Sequence, residues 1–156
     1  MQHVPVVILD FGSQYTQLIA RRVRELGVYC EIHPFHRQAD AIAALAPKAL
    51  ILSGGPASVT DADAPLPDPG VLALGVPVLG ICYGCQYLTH AGGGTVAPSP
   101  VREFGRAALG DIAPSRLFER FAKAERREVW MSHGDHIEAL APGFTVTARR
   151  PWAWNL

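Results

Sequence analysis

The sequence predicts an α/β protein, a doubly wound and mostly parallel sheet with an antiparallel extension, and three observations carry that expectation. The run Val4-Pro5-Val6-Val7-Ile8-Leu9 is continuously apolar, as a strand buried on both faces requires. A helical period follows it, and strand and helix signals then alternate over short connections. After Gly92-Gly93-Gly94, a strong stop, the pattern changes to short, separated strand candidates.

In order along the chain, Ser13 is placed to cap the first helix. Tyr15, Leu18, Ile19, Val23 and Leu26 recur on one stripe of it, with Arg21, Arg22, Arg24 and Glu25 largely off that stripe. Gly27 stands where a left-handed terminal residue is wanted. A second strand is predicted over Val28 to Ile32, an Ala-rich helix from about Gln38 to Leu45, and a third strand over Ala49 to Leu52. A Pro/Asp-rich loop leads to a fourth strand, Val76 to Ile81, and a helix from about Gly84 to His90. Thr95 to Ala97, Arg106 to Leu109, Val129 to Met131 and Phe144 to Arg149 are the candidates for the antiparallel extension.

A length of 156 residues allows one domain, and a chain of this size buries roughly two-thirds of its unfolded surface, enough for a proper core. Lys and Arg number 14 and so do Asp and Glu, a balance that gives no nucleic-acid footprint and no membrane-surface patch. The most apolar stretch, Val71 to Cys82, falls short of the ~20 residues a membrane helix needs. The first residues do not read as a signal peptide, and three cysteines give no disulfide framework. A soluble, cytoplasmic protein with a small-molecule or protein partner is expected.

The most informative segment is Pro77-Val78-Leu79-Gly80-Ile81-Cys82-Tyr83-Gly84-Cys85-Gln86, an apolar strand running into Gly-x-Cys-x-Gly and then a helix. This is the thiol form of a nucleophile elbow, in which glycines two positions either side of the central residue clear space for a crowded turn. Cys82 would project at the carboxyl end of a strand, where open α/β sheets bind ligands, and the following helix N-terminus would favour its thiolate. The N–H of Tyr83 is one oxyanion donor. A second is expected from Ser53-Gly54-Gly55-Pro56, one βα unit upstream. In Trp130-Met131-Ser132-His133-Gly134-Asp135-His136, the pattern alone leaves open whether His133 or His136 serves as a base or the segment is a solvated turn. Cys82, Cys85, His133 and His136 also offer four zinc ligands, though at poor spacing, and Cys-x-x-Cys could be a redox pair. No metal is expected.

Five segments, in order, resemble the glutamine amidotransferase domain of the GMP synthase family, within the flavodoxin-like class I glutamine amidotransferases. They are Ile8 to Glu25, Ser53-Gly54-Gly55-Pro56, Gly80-Ile81-Cys82-Tyr83-Gly84, Arg102-Glu103-Phe104-Gly105 and Ser132-His133-Gly134-Asp135. The resemblance runs from about Val4 to about Arg149, so residues 1–149 are expected to form the amidotransferase domain, incomplete at its C-terminus, with a divergent tail at 150–156. It implies that Cys82 attacks the side-chain amide of L-glutamine, that Gly54 or Gly55 and Tyr83 form the oxyanion hole, and that Gln86, Ser132 and His133 hold the substrate's α-groups. That makes His133 a ligand holder rather than a base. It also implies a partner, an ATP-pyrophosphatase (synthetase) domain or subunit using ATP and Mg, absent from this chain, with no cofactor in the chain itself.

Two departures from the family pattern stand out. Cys85 occupies a position where the family usually has methionine. The family's catalytic His-Pro-Glu motif has no counterpart here, because the only His-Pro, His33-Pro34, continues to Phe35. A thiol without its base implies a weak glutaminase. The alternatives are a non-catalytic glutamine-binding fragment that docks on a synthetase subunit, or a class I amidotransferase serving another synthetase.

Overall fold

The computed structural model describes residues 4–110, 112–119 and 128–149, without the side chains of 100–104. The expected tail at 150–156 lies outside the described residues, as do the side chains of Arg102, Glu103 and Phe104. Strands β1 (Val6–Asp10), β2 (Cys30–Pro34), β3 (Ala49–Leu52) and β4 (Val78–Gly80) form a parallel sheet in the order β2-β1-β3-β4. Helices α1 (Thr16–Glu25), α2 (Ala39–Ala43) and α3 (Tyr83–Ala91) lie between or after these strands.

The two-sided burial expected of the first strand is explained by its neighbours. Val7 and Leu9 join one core cluster, with Leu50 and Leu52 of β3, Ile42 of α2, and Tyr83 and Tyr87 of α3. Ile8, whose side chain points the other way, joins a second cluster with Ala20 of α1, Cys30 and Ile51. Both faces are therefore covered, and each fully buried aliphatic side chain contributes about 1.5–3 kcal/mol. Within the expected Pro/Asp-rich loop, Pro69–Leu74 forms a 3-10 helix whose N-terminus is held by Asp68. The Asp68 carboxylate accepts from the N–H groups of Gly70 and Ala39, both at 2.9 Å, and these bonds hold its pKa below the usual carboxylate range.

Some local expectations shift. Ser13 does not cap α1; the N-cap position is Tyr15, and the Ser13 hydroxyl instead accepts from the Tyr15 N–H at 3.0 Å. Gly27 does adopt the left-handed conformation, at φ 76°. The second strand begins at Cys30 rather than Val28, because the α1 exit consumes two more residues: the Val28 N–H still bonds the Val23 carbonyl. The antiparallel strands are present but longer, as β5 (Thr95–Ala108) and β6 (Glu128–Ala139). They pair with each other as a two-stranded sheet of their own instead of adding to the edge of the parallel one. Of Phe144 to Arg149, only Ala148 joins a ladder contact, an isolated bridge to Ile112. Among the described residues, no helix is long and apolar enough to cross a membrane.

Candidate functional site

The ladder between β3 and β4 ends with the Ile81 N–H bonded to the Leu52 carbonyl at 2.9 Å, and the chain then turns sharply at Cys82. Cys82 is the N-cap of α3, with φ 51° and ψ −111°. A non-glycine residue held there costs of order 1–3 kcal/mol and persists only when its surroundings over-determine it. Here they do. The Gly84 N–H reaches both the Ser53 and Ile81 carbonyls, at 3.1 and 3.0 Å, and the Cys82 carbonyl accepts from Cys85 and Gln86, at 2.9 and 3.0 Å.

The two glycines of the motif are required by contact rather than by φ. A Cβ on Gly80 would lie 2.6 Å from the Gly84 carbonyl oxygen, and one on Gly84 would collide with the Leu52 carbonyl oxygen. The helix start is thus laid directly on strand backbone. Tyr83 follows fully buried, its ring 5.2 Å from that of Phe11 and its hydroxyl donating to the Pro65 carbonyl at 3.0 Å. Burial, with Tyr87 and Asp61 nearby, pushes its phenol up to about 12.

The glycine loop after β3 sits beside the elbow. A Cβ on Gly54 would be 3.4 Å from the Cys82 Cβ, which places the two segments side by side. Among the described residues, the N–H groups of Gly54 and Gly55 have no protein acceptor. Ser53, which sequence reading left without a role, organises this loop. Its fully buried hydroxyl accepts from the Phe11 N–H at 3.0 Å and donates to the Gly54 carbonyl at 2.9 Å, tying the loops after β1 and β3 together. The only sequence signal was a hydroxyl at a strand end. Ser53→Ala should cost about 1–3 kcal/mol, because it strands the buried Phe11 N–H. Urea unfolding measures it, and a loss under about 0.5 kcal/mol, typical of surface changes, would refute the role.

The third expected segment arrives on β6 through its backbone. The Cys82 thiol donates to the Ser132 carbonyl at 3.4 Å, and the Gln86 side-chain amide donates to the Asp135 carbonyl at 3.3 Å. The structure therefore brings Cys82, Tyr83, Gln86, Gly54 and the Ser132–Asp135 main chain together. The Ser132 side chain itself is exposed. Nδ1 of His136 is buried and has no hydrogen-bond partner among the described residues. Among the described residues, no three His, Cys, Asp or Glu side chains gather as metal ligands would.

The expected thiolate is corrected by its surroundings. Burial pushes the Cys82 thiol up, the Tyr83 N–H draws it partly back, and the Asp135 charge raises it again. The helix terminus acts in the direction the sequence suggested, but desolvation outweighs it. A separate shallow cleft of about 490 Å³ lies at the ends of β1 and β2, lined by Asp10–Gly12 and Ile32–His36. Its lining carries Asp10, His33 and His36 but no cysteine, serine or threonine.

Residues 7–152 match the family model described as glutamine amidotransferase class-I. The chain is 60% identical over 145 residues to a GMP synthase [glutamine-hydrolyzing] of Solidesulfovibrio magneticus, and 55% identical over 147 residues to that of Maridesulfovibrio salexigens. These alignments cover 92% and 94% of this chain but 28% of each relative, so the chain spans little more than a quarter of their length. Among solved structures, a protein described as a GMP synthase subunit from Thermoplasma acidophilum superposes with a TM-score of 0.74 at 28% identity, covering 95% of this chain and 74% of that one. A glutamine amidotransferase from Thermotoga maritima shares the fold, with a TM-score of 0.68 at 20% identity over 95% of this chain and 67% of that one.

Proposed function

The chain belongs to the class-I glutamine amidotransferase family, and from that premise we propose that it is the glutamine-hydrolysing part of a GMP synthase. The observation that carries the reading is Cys82 itself, held at a positive φ on the first turn of α3 beside the Gly54 loop. In the proposed reaction its sulfur attacks the carbonyl carbon of the glutamine side-chain amide. The tetrahedral oxyanion is met by the Tyr83 N–H and by that of Gly54 or Gly55. Collapse breaks the C–N bond and releases ammonia, leaving a γ-glutamyl thioester that water hydrolyses to glutamate and the free thiol.

Gln86, Ser132 and His133 are proposed to hold the α-amino and α-carboxylate groups of glutamine. What supports the reading is that the Gln86 side-chain amide donates to the Asp135 carbonyl at 3.3 Å, which joins α3 to β6 beside Cys82. The amidotransferase domain is proposed to occupy 1–149. Ammonia would pass to an ATP-pyrophosphatase domain or subunit, which uses ATP and Mg to aminate XMP, in the cytoplasm.

Incubation with an acivicin-type glutamine analogue, followed by intact mass and peptide mapping, tests the reading. Labelling confined to Cys82, and slowed by excess glutamine, is expected. An unlabelled protein would favour the inert glutamine-binding fragment, and labelling that glutamine does not slow would remove glutamine as the ligand.

A further inference from the structure

We propose that Ser53 is a positioning residue whose hydroxyl fixes the Gly54–Gly55 peptide and so makes the Gly55 N–H the second oxyanion donor, an assignment that rests on the glutamine reading of Cys82. The Ser53 hydroxyl is fully buried and donates to the Gly54 carbonyl at 2.9 Å. Among the described residues no peptide bond is cis, and in a trans peptide the carbonyl and the following N–H point in opposite directions. A Gly54 carbonyl drawn onto Ser53 therefore turns the Gly55 N–H away from that buried oxygen. Gly54 is buried and Gly55 half-buried, so of the two it is Gly55 that a bound substrate reaches.

Two adjacent glycines set few steric limits on rotation of the peptide between them. Turned over, it would present the Gly54 carbonyl oxygen, not an N–H, to a developing negative charge. The Ser53 hydroxyl opposes that rotation and is itself held, since its oxygen accepts from the Phe11 N–H at 3.0 Å. Phe11 also bears on the far end of the same peptide: a Cβ on Gly55 would lie 2.5 Å from the Phe11 carbonyl oxygen. At the near end, a Cβ on Gly54 would lie 3.4 Å from the Cys82 Cβ, so the peptide begins against the nucleophile. A donor fixed in this way needs no reorganisation when the oxyanion forms.

A γ-methyl thioester of L-glutamate is the probe, because methanethiolate departs without a proton and the reaction does not wait for a general acid. The Cys82 thiolate adds to the thioester carbonyl carbon and the oxyanion forms. Collapse breaks the carbon–sulfur bond to methanethiolate and leaves the γ-glutamyl group on Cys82. Water then adds to that carbonyl through a second oxyanion and yields glutamate, its protons passing to the departing Cys82 thiolate and to solvent. Both steps use the same donors, so kcat reports them whichever step limits it. Iodoacetamide is the contrast, since it alkylates Cys82 by displacement at a saturated carbon and forms no oxyanion.

In the whole chain, Ser53→Ala should lower kcat for the thioester about 10²-fold, the loss a displacement of ~1 Å brings, with KM and the iodoacetamide labelling of Cys82 unchanged. Ser53→Cys, close in size but a weak donor, should fall in the same direction and carries the test if the alanine variant does not fold. Ile42→Val trims a fully buried core side chain on α2, and should lose stability while keeping kcat. A wild-type kcat in a folded Ser53 variant, or an equal loss in Ile42→Val, would overturn the positioning role. So would a parallel fall in iodoacetamide labelling, which would place the effect of the hydroxyl on the thiol. A wild-type chain no faster on the thioester than Cys82→Ala would instead remove the glutamine reading, and the role of Ser53 with it.

Discussion

Gly84→Ala should destabilise the protein by about 3 kcal/mol and dismantle the elbow that carries Cys82. The new Cβ would collide with the Leu52 carbonyl oxygen and lie 2.7 Å from the Leu52 Cβ, and both belong to a strand of the central sheet. Neither neighbour is the far end of a flexible side chain, so α3 must lift off the sheet or the ladder must distort. Overpacking of this kind costs typically 1–3 kcal/mol, and contact with strand backbone places Gly84 at the upper end. In a chain of this size that corresponds to a fall in Tm of roughly 6–12 °C. Gly80→Ala, with its Cβ 2.6 Å from the Gly84 carbonyl, should follow the same course. Gly134→Ala is the control, since a Cβ there meets nothing within 4 Å. Calorimetry on the three variants decides the matter, and equal melting temperatures for Gly84→Ala and Gly134→Ala would show that the turn does not need its glycines.

These contacts also show what a sequence makes legible. The elbow could be read because glycine, cysteine and glycine at fixed spacing, between an apolar strand and a helix, leave few other foldings of the backbone. The central strands were readable for a similar reason: Val7, Ile8 and Leu9 are apolar on both faces, and only helices on both sides of a sheet satisfy that. Ser53 was not readable. A buried hydroxyl acquires its role from Phe11, 42 residues away in the chain, and no local pattern announces the meeting. The antiparallel pair was legible as strands but not as a separate sheet, because partner choice depends on where the turns deliver each edge. Gly54 and Gly55 illustrate an intermediate case. Their spacing marks a turn, but their place beside Cys82 comes from the adjacency of β3 and β4 in the sheet order.

Glutamine hydrolysis by the 156-residue chain should be slow, about 10²–10⁴ below the roughly 10 per second of an ordinary enzyme, and should vanish in Cys82→Ala. The reason lies in where the thiol proton sits. The hydrogen bond of Cys82 runs to the Ser132 carbonyl, which accepts a hydrogen bond but is no general base. Burial and the Asp135 charge raise the pKa above the ordinary thiol value, against the partial pull of the Tyr83 N–H. A raised thiol pKa means that the protonated form dominates at neutral pH. The thiolate fraction then grows about tenfold per pH unit until the pH passes the raised pKa, and hydrolysis should climb with it between pH 7 and about 9. Asp135→Asn removes one of the raising charges, so the thiolate fraction at pH 7 increases and the ascending limb moves to lower pH. Ammonia release and iodoacetamide labelling of Cys82, measured across that range, should trace the same curve for each protein. A rate near 10 per second that does not change with pH would mean that a residue outside this account takes the proton, with His136 and its buried Nδ1 as the first to replace by alanine. An unmoved labelling curve in Asp135→Asn would show instead that burial alone sets the thiol, and that the charge on β6 does not reach it.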